Sequence, residues 1–382
     1  MPDQTQIPLT PGLTVSPITA EDHLTWLAGH SASFLQTPAW GKVKADWSHE
    51  SLGWFSGQTL VSAALVLYRP IPKLKWSLAY LPEGPSLPTL NPELPVDSWA
   101  TPLVDYLKTK KVFSIKMGPP VISRQWNAAT IKSAIANGNV SKLGDVPADS
   151  HSAQAQELVE QLRAIGWQQE SSKADGFGDV QPRFVFQLGL ENKSLDELFD
   201  GFSQEWRRNI RKAEKSDVAV QEGAFDDLKD FHTVYVETAQ RDHFTPRPLS
   251  YFERMWQAMA DEDPARLRLF LAKRGDEVLA ATTLVTVNGH AWYSYGASTT
   301  ASRDLRPSNA IQWAMIKAAH EAGAHTYDLR GIGDSLDPSD PLFGLIRFKL
   351  GTNGRASEYI GEFDFPLNAL LHRAVTAYLA RR

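Results

Sequence analysis

The chain has 382 residues, 42% of them hydrophobic and 22% charged, which is ordinary globular usage and enough length for two or three domains; a disordered or low-complexity protein is excluded. A formal net charge of −5 means that phosphate-seeking charge does not cover the whole surface, so any nucleic-acid contact must come from a local patch. Cysteine is absent, which removes disulfide scaffolds, thiolate zinc sites and a cysteine nucleophile. No segment reaches the ~18 apolar residues that span a bilayer. Residues 1–12 lack a basic leader and an apolar stretch, so a cytoplasmic protein is expected.

Residues 52–57 and 60–68 read as two strands joined at Gly57-Gln58-Thr59, and 75–80 as a third. The turn-rich Leu81-Pro82-Glu83-Gly84-Pro85 follows, then a helix over 97–109 and a short strand over 111–116. Residues 138–152 read as a loop, 153–165 as a helix, and the stretch to about Asp179 as a Gly/Ser/Asp-rich seam. A strand over 183–188 opens the second half. There the first order recurs: strands 267–273, 278–287 and 291–295, a polar loop over 296–306, a helix over 309–322 ended by Gly323, and a strand over 325–329. The offset is about 215 residues, aligning Tyr80 with Tyr295 and Phe113 with Tyr327, a spacing that points to a duplicated α/β unit. The domains expected are 1–180 and 181–364, with a C-terminal helix over 365–382 joining the first. In that segment Leu367, Leu370, Leu371, Ala374, Tyr378 and Leu379 share a face, and Arg381 and Arg382 favour the negative helix end. Packing of this face on the first domain is expected over contact with a membrane surface.

Three places carry candidate chemistry. In Ser194–Lys215 a capping box, Ser194 with Glu197, starts one helix, and Gly201 divides it from a second. The second helix bears Arg207, Arg208, Arg211, Lys212 and Lys215, with Arg207, Arg211 and Lys215 one turn apart. Such a row fits nucleic-acid phosphates or a solvated face with local ion pairs. Arg247 and Tyr251, four apart, offer a guanidinium fork and a hydroxyl to an anion, or else an arginine satisfied by a loop carboxylate. Phe348-Lys349, in an apolar run rimmed by glycines, places one cation in a cleft, where it would bind phosphate or a developing oxyanion, or else at a strand end. There is no Walker loop, no G-x-S-x-G and no pyrophosphate loop for coenzyme A. His320 and His325 read as ordinary residues, and no metal site is expected.

Several strings then align in order: Phe34-Leu35-Gln36 with Trp40 and Lys44, Tyr80-Leu81-Pro82-Glu83-Gly84-Pro85, Arg208-Asn209-Ile210-Arg211-Lys212, Arg241-Asp242, Tyr293-Ser294-Tyr295-Gly296-Ala297-Ser298, Tyr327-Asp328-Leu329-Arg330-Gly331-Ile332 and Gly344-Leu345-Ile346-Arg347-Phe348-Lys349. Together they resemble the Fem family (FemA, FemB, FemX) of non-ribosomal peptidyl aminoacyltransferases, in its compact, arm-less FemX type. The resemblance implies an α/β (α+β) fold of two GNAT-like domains facing across a cleft. It implies transfer of an amino acid from aminoacyl-tRNA to the third-residue side-chain amine of a peptidoglycan precursor, either UDP-MurNAc-pentapeptide or lipid II. No cofactor beyond the charged tRNA is implied, and the implied place of action is the cytoplasm at the inner face of the plasma membrane. By matching motif, Lys44, Arg247, Tyr251 and Tyr293 or Tyr295 would hold the precursor's diphosphate. Phe348 and Lys349 would meet the aminoacyl-tRNA end, Lys349 as the oxyanion's cation, and Arg207, Arg208, Arg211, Lys212 and Lys215 would hold the tRNA. Two positions depart from the family pattern: Glu83 replaces an Arg, and Gly118 replaces an acceptor-positioning Asp. The alternatives are a GNAT-type acyltransferase with a small acyl donor, and a non-catalytic precursor- or RNA-binding homologue.

Overall fold

A computed structural model describes residues 12–86, 94–170 and 180–379. Residues 171–179 of the Gly/Ser/Asp-rich stretch, residues 1–11, Arg381 and Arg382 lie outside these residues.

The first unit begins with β1 (Thr14–Ile18), α1 (Ala20–Ala28) and α2 (Pro38–Val43). The hairpin β2 (Ser48–Ser56) and β3 (Thr59–Pro70) turns at Gly57, whose φ of 60° suits a residue without a Cβ. β4 (Ser77–Leu81), α3 (Val96–Lys108) and β5 (Val112–Met117) follow. β1 to β4 pair antiparallel in succession, and β5 lies parallel to β4 through the α3 crossover. Residues 63–67 of β3 are buried without alternation because both faces of this sheet are covered.

The chain next makes β6 (Ile122–Asn127), α4 (Ala128–Asn137), β7 (Ser150–His151), α5 (Ala153–Ala164) and β8 (Gln168–Gln169). The second unit holds β9 (Phe184–Gly189), α6 (Leu195–Gly201), α7 (Gln204–Lys215), β10 (Ala219–Gly223), α8 (Leu228–Arg241), α9 (Leu249–Glu262), β11 (Leu267–Arg274), β12 (Glu277–Val287), β13 (His290–Ser298), α10 (Pro307–Glu321) and β14 (Thr326–Gly331). α11 (Phe343–Leu350), β15 (Arg355–Tyr359), β16 (Phe363–Pro366) and α12 (Ala369–Leu379) close the chain. β10 to β14 repeat the first unit: three antiparallel steps, then a parallel one across α10. Register confirms the internal match, since Leu67 pairs with Tyr80 and Thr283 with Tyr295. This is the duplicated α/β unit expected from the sequence.

The boundary near residue 180 does not separate the two sheets. The first has the order β1-β2-β3-β4-β5-β16-β8 and the second β10-β11-β12-β13-β14-β9-β15-β6-β7. β6 and β7, within residues 1–180, therefore pair in the second sheet, while β16 returns to the first beside β5. These strands are short or polar, and only the tertiary partner fixes their place.

α12 does join the first unit, where Leu367 and Asn368 donate to the Phe113 carbonyl at 2.9 and 2.8 Å. The expected inward face is split, however. Leu367, Leu371 and Val375 are half-buried, whereas Leu370, Ala374 and Tyr378 are exposed. No helix among the described residues is long and apolar enough to cross a membrane.

One hydrophobic cluster welds the units together. Phe34, Trp40, Leu67 and Tyr80 from the first pack with Tyr251, Phe252, Met255 and Trp292 from the second. Beside it runs an ion pair across the seam: Arg330 Nη1 donates to Glu83 Oε1 at 2.8 Å, and Ser33 Oγ donates to Glu83 Oε2 at 2.5 Å. Glu83 is buried, so removing its charge leaves an uncompensated guanidinium in a poorly solvated seam. Glu83→Gln is expected to lower the unfolding free energy by about 3–5 kcal/mol. Glu83→Gln/Arg330→Gln should cost less than the sum of the single changes, as urea titrations of the four chains would show.

Candidate active site

A cation-rich cradle forms where α2, α9 and β13 converge. Lys44 is the C-cap of α2, at the end of a helix started by Pro38. Its Nζ lies 4.9 Å from the Trp40 ring centroid and 5.9 Å from that of Tyr251. Arg247 is not on a helix: α9 begins at Leu249 after the N-cap Pro248. Its guanidinium nevertheless lies 4.5 Å from the Tyr251 ring, and its carbonyl accepts from His232 Nε2 at 3.0 Å. Tyr251 and Tyr295 share a hydroxyl–hydroxyl bond of 3.0 Å. Burial first, and then the charge of Arg247, bring the Lys44 ammonium down to about 8. Among the described residues neither Lys44 nor Arg247 meets a carboxylate within 4 Å. Two cations and two phenols without a protein counter-ion make a cradle for a multiply charged anion.

Tyr293 is not in it. Thr283 pairs with Tyr295 but Leu284 with Tyr293, so Ser294 is an extra residue, a bulge. The bulge sends Tyr295 to the seam and Tyr293 to the opposite core, where burial raises its hydroxyl to about 12 and the ring lies against Gly296. Plain alternation would have put both rings on one face.

Lys349 stands on a helix, not at a strand end. Phe343, Ile346 and Leu350 bury one side of α11 at helical spacing. Lys349 is 3% exposed, and its ammonium donates to the Gly331 and Arg330 carbonyls at 2.6 and 3.2 Å. Burial lowers it to about 7, with the Arg330 charge adding to the fall and Asp328 opposing it. Two of the ammonium's three donors are thus occupied. Phe348 is partly buried; its carbonyl accepts from Trp206 Nε1 at 2.8 Å, and the two ring centroids are 4.9 Å apart. Gly351 is needed there, because a Cβ would lie 1.9 Å from the Trp206 ring.

Trp206 begins the buried stripe of α7, continued by Ile210 and Ala213. Arg208, Arg211, Lys212 and Lys215 point outward. Arg207 is half-buried and bonded to Asp200 at 3.3 Å, and Arg211 lies over the Phe199 ring at 5.3 Å. The cationic row is therefore docked through Trp206 onto the helix that carries Lys349.

Between the units lies a cavity of about 430 Å³ whose walls include Ser33, Glu83, Gln187, His290, Trp292 and Tyr359. Lys349 lies outside that lining. Asp328, 1% exposed, connects the regions: it accepts from Gln187 Nε2 at 3.0 Å and from the Arg330 amide at 2.6 Å, with His290 Nε2 at 3.4 Å. His290 is stacked on Trp292 at 4.0 Å.

Sequence reasoning missed two compensations. Glu83 is the seam's counter-ion to Arg330. Gly118 leaves room for another residue's acid, since a Cβ there would come within 2.8 Å of Glu362 Cγ. Glu362 is 2% exposed and accepts from Tyr80 at 2.6 Å and from the Val180 amide at 2.6 Å. A carboxylate thus fills the space beside position 118, supplied from the chain's far end. No local sequence signal marked either one, because Arg330 and Glu362 lie far along the chain from Glu83 and Gly118. Arg241, one of the aligned strings, is a structural tie: it donates to the Ser298 carbonyl at 2.7 Å. Among the described residues no group of three or more His, Asp or Glu is placed to hold a metal.

Two stretches of the chain, residues 18–269 and 259–379, match the family model described as the FemAB family. Lipid II:glycine glycyltransferase of Staphylococcus aureus strain USA300 is 24% identical over 431 aligned positions, covering 94% of each chain, as is its counterpart in strain N315. A crystal structure of FemX superposes with a TM-score of 0.78 at 23% identity, covering 94% of this chain and 99% of that one. L-PGS from Bacillus licheniformis reaches 0.50 at 9% identity, covering 92% and 93%. These two likenesses show the shared fold. The paired cations of the cradle should bind pyrophosphate in calorimetry. Lys44→Met or Arg247→Ala is expected to weaken that binding roughly 10–100-fold. The parent's affinity should fall as pH rises through about 8, where Lys44 loses its proton, and Lys44→Met should lose that dependence.

Proposed function

As the chain belongs to the FemAB family, we propose that it builds peptidoglycan bridges by transferring an amino acid from aminoacyl-tRNA to the third-residue side-chain amine of the precursor's stem peptide. The enzyme is an aminoacyltransferase. The observation that carries the finer reading is the uncompensated cradle, with Lys44 from one unit and Arg247, Tyr251 and Tyr295 from the other. A diphosphate anchored there sets the precursor along the seam. The staphylococcal relatives named for lipid II support a precursor of this class.

The chemistry is an exchange of one acyl bond for another. The stem-peptide amine attacks the ester carbonyl; a C–N bond forms, the bond to the ribose oxygen breaks, the nitrogen gives up a proton and the ribose oxygen gains one. Between these events the carbonyl oxygen is negative. Lys349 supplies the hydrogen bond and charge, held in place by the Gly331 and Arg330 carbonyls, in surroundings too poorly hydrated to screen it. No covalent enzyme intermediate is needed, consistent with a chain that lacks cysteine. Orientation of two large substrates supplies most of the remaining acceleration. The outward cations of α7, mounted on Trp206 against α11, hold the tRNA backbone beside that ammonium.

Incubation with mixed charged tRNA and a muramyl-pentapeptide acceptor should add one or more residues to the peptide by mass spectrometry; no mass gain with any amino acid would refute the proposal. Lys349→Met should reduce turnover about 10²–10³-fold with folding intact. The parent's kcat/KM should carry a falling limb near pH 7 that Lys349→Arg removes, because the working form of Lys349 is protonated and is lost as pH rises through about 7.

Charge removal at Arg208, Arg211, Lys212 and Lys215 should weaken tRNA binding and flatten its dependence on salt, each phosphate contact contributing about 0.9 to the log–log slope at most. Arg207→Gln should change both less, because Asp200 already holds that guanidinium.

A further inference from the structure

The far end of the first sheet presents large apolar side chains that stand partly exposed among the described residues. The β3–β4 connection closes through Ile71 N–H to the Trp76 carbonyl at 2.9 Å, leaving Lys73-Leu74-Lys75-Trp76 at its tip. Leu74 is 50% exposed and Trp76 37%. Ser77 N–H donates to the Lys111 carbonyl at 2.9 Å, which sets the exposed Lys110 and Lys111 beside the tip. Phe113, two residues on, receives the start of α12 through the Leu367 and Asn368 amides. Lysines alternate with apolar residues at the tip, and α12 contains no acid. Among the described residues three acids stand nearby: Asp105 is bound to Lys108 at 2.9 Å, Asp46 precedes Trp47, and Glu50 lies 3.6 Å from Lys110, which also sits over the Tyr106 ring. On a chain of net −5 this is a local reversal of charge.

We propose that this end docks on an anionic lipid bilayer, with Trp76 and Leu74 entering the interface and Lys73, Lys75 and Lys111 meeting phosphate head groups. Tryptophan at the head-group level, a short aliphatic anchor and flanking lysines are the elements of interfacial binding. The cradle lies on the same side. Trp47 N–H donates to the Lys44 carbonyl at 2.8 Å, and the Trp47 ring lies 5.6 Å from the guanidinium of Arg69, which immediately precedes the tip's Pro70. A tail leaving a diphosphate on Lys44 and Arg247 in this direction passes into the bilayer. That orientation rests on the proposed function; the docking itself does not.

Co-sedimentation of the full chain with mixed phosphatidylcholine–phosphatidylglycerol vesicles tests the proposal. Binding is expected to the mixed vesicles, to be weak on pure phosphatidylcholine, and to be reversed by salt. Lys73→Gln/Lys75→Gln should lower partitioning about 30-fold, and Leu74→Ala/Trp76→Ala roughly tenfold. All variants should keep the parent's melting temperature and its transfer to a soluble UDP-linked acceptor without vesicles. Equal partitioning of parent and variants, no binding to either vesicle, or a self-associated parent that Trp76→Ala converts to monomer would each overturn the proposal. Loss of transfer in the soluble assay with vesicle binding retained would instead count against the proposed function.

Discussion

The weld between the two units is the constraint on which the rest depends. Neither unit holds the cradle by itself: Lys44 comes from one, and Arg247, Tyr251 and Tyr295 from the other. A site divided in this way works only if its halves are fixed to within a fraction of the reach of a hydrogen bond. Aromatic packing of Phe34, Trp40 and Tyr80 against Tyr251, Phe252 and Trp292 supplies the rigidity. The pair of Glu83 with Arg330 supplies direction, because a fork meeting a carboxylate tolerates little sliding.

Arg330 also links the weld to the buried Lys349 ammonium. Its side chain spans to Glu83, its amide bonds Asp328, and its carbonyl helps hold the Lys349 ammonium. It adopts a left-handed backbone, φ 63°, which a residue without glycine's freedom keeps only when its surroundings enforce it. One residue thus couples the relative placement of the units to the position of the buried cation. Lys44 and Lys349 are both held where protonation is harder than in water, a state that a bound anion relieves.

The duplicated order was legible because it rests on local signals: apolar strands bounded by glycine turns, and a helix closed by Gly323. Lys44, Arg247, Tyr251 and the cations of α7 stood out as candidates by residue type and motif, and the structure brings the first three together and leaves Arg208, Arg211, Lys212 and Lys215 exposed. Other features depended on information that no local window holds. Tyr293 and Tyr295 look equivalent until the Ser294 bulge reverses one of them. The run around Lys349 suits strand or helix, and burial of Phe343, Ile346 and Leu350 decides for helix. Glu83 and Gly118 looked like losses, whereas partners about 250 residues away, Arg330 and Glu362, give each a physical role.

The crossing of β6–β7 into one sheet and the return of β16 to the other also bear on how the molecule comes into being. The outer edge of β5 is covered only when residues 363–366 have been made, almost at the end of synthesis. Until then the nascent first half carries an open strand edge, and β6 waits for β15, itself more than two hundred residues downstream. The halves are therefore interlocked by the path of the backbone: severing the gene at its apparent midpoint would yield two fragments, each missing strands that the other holds.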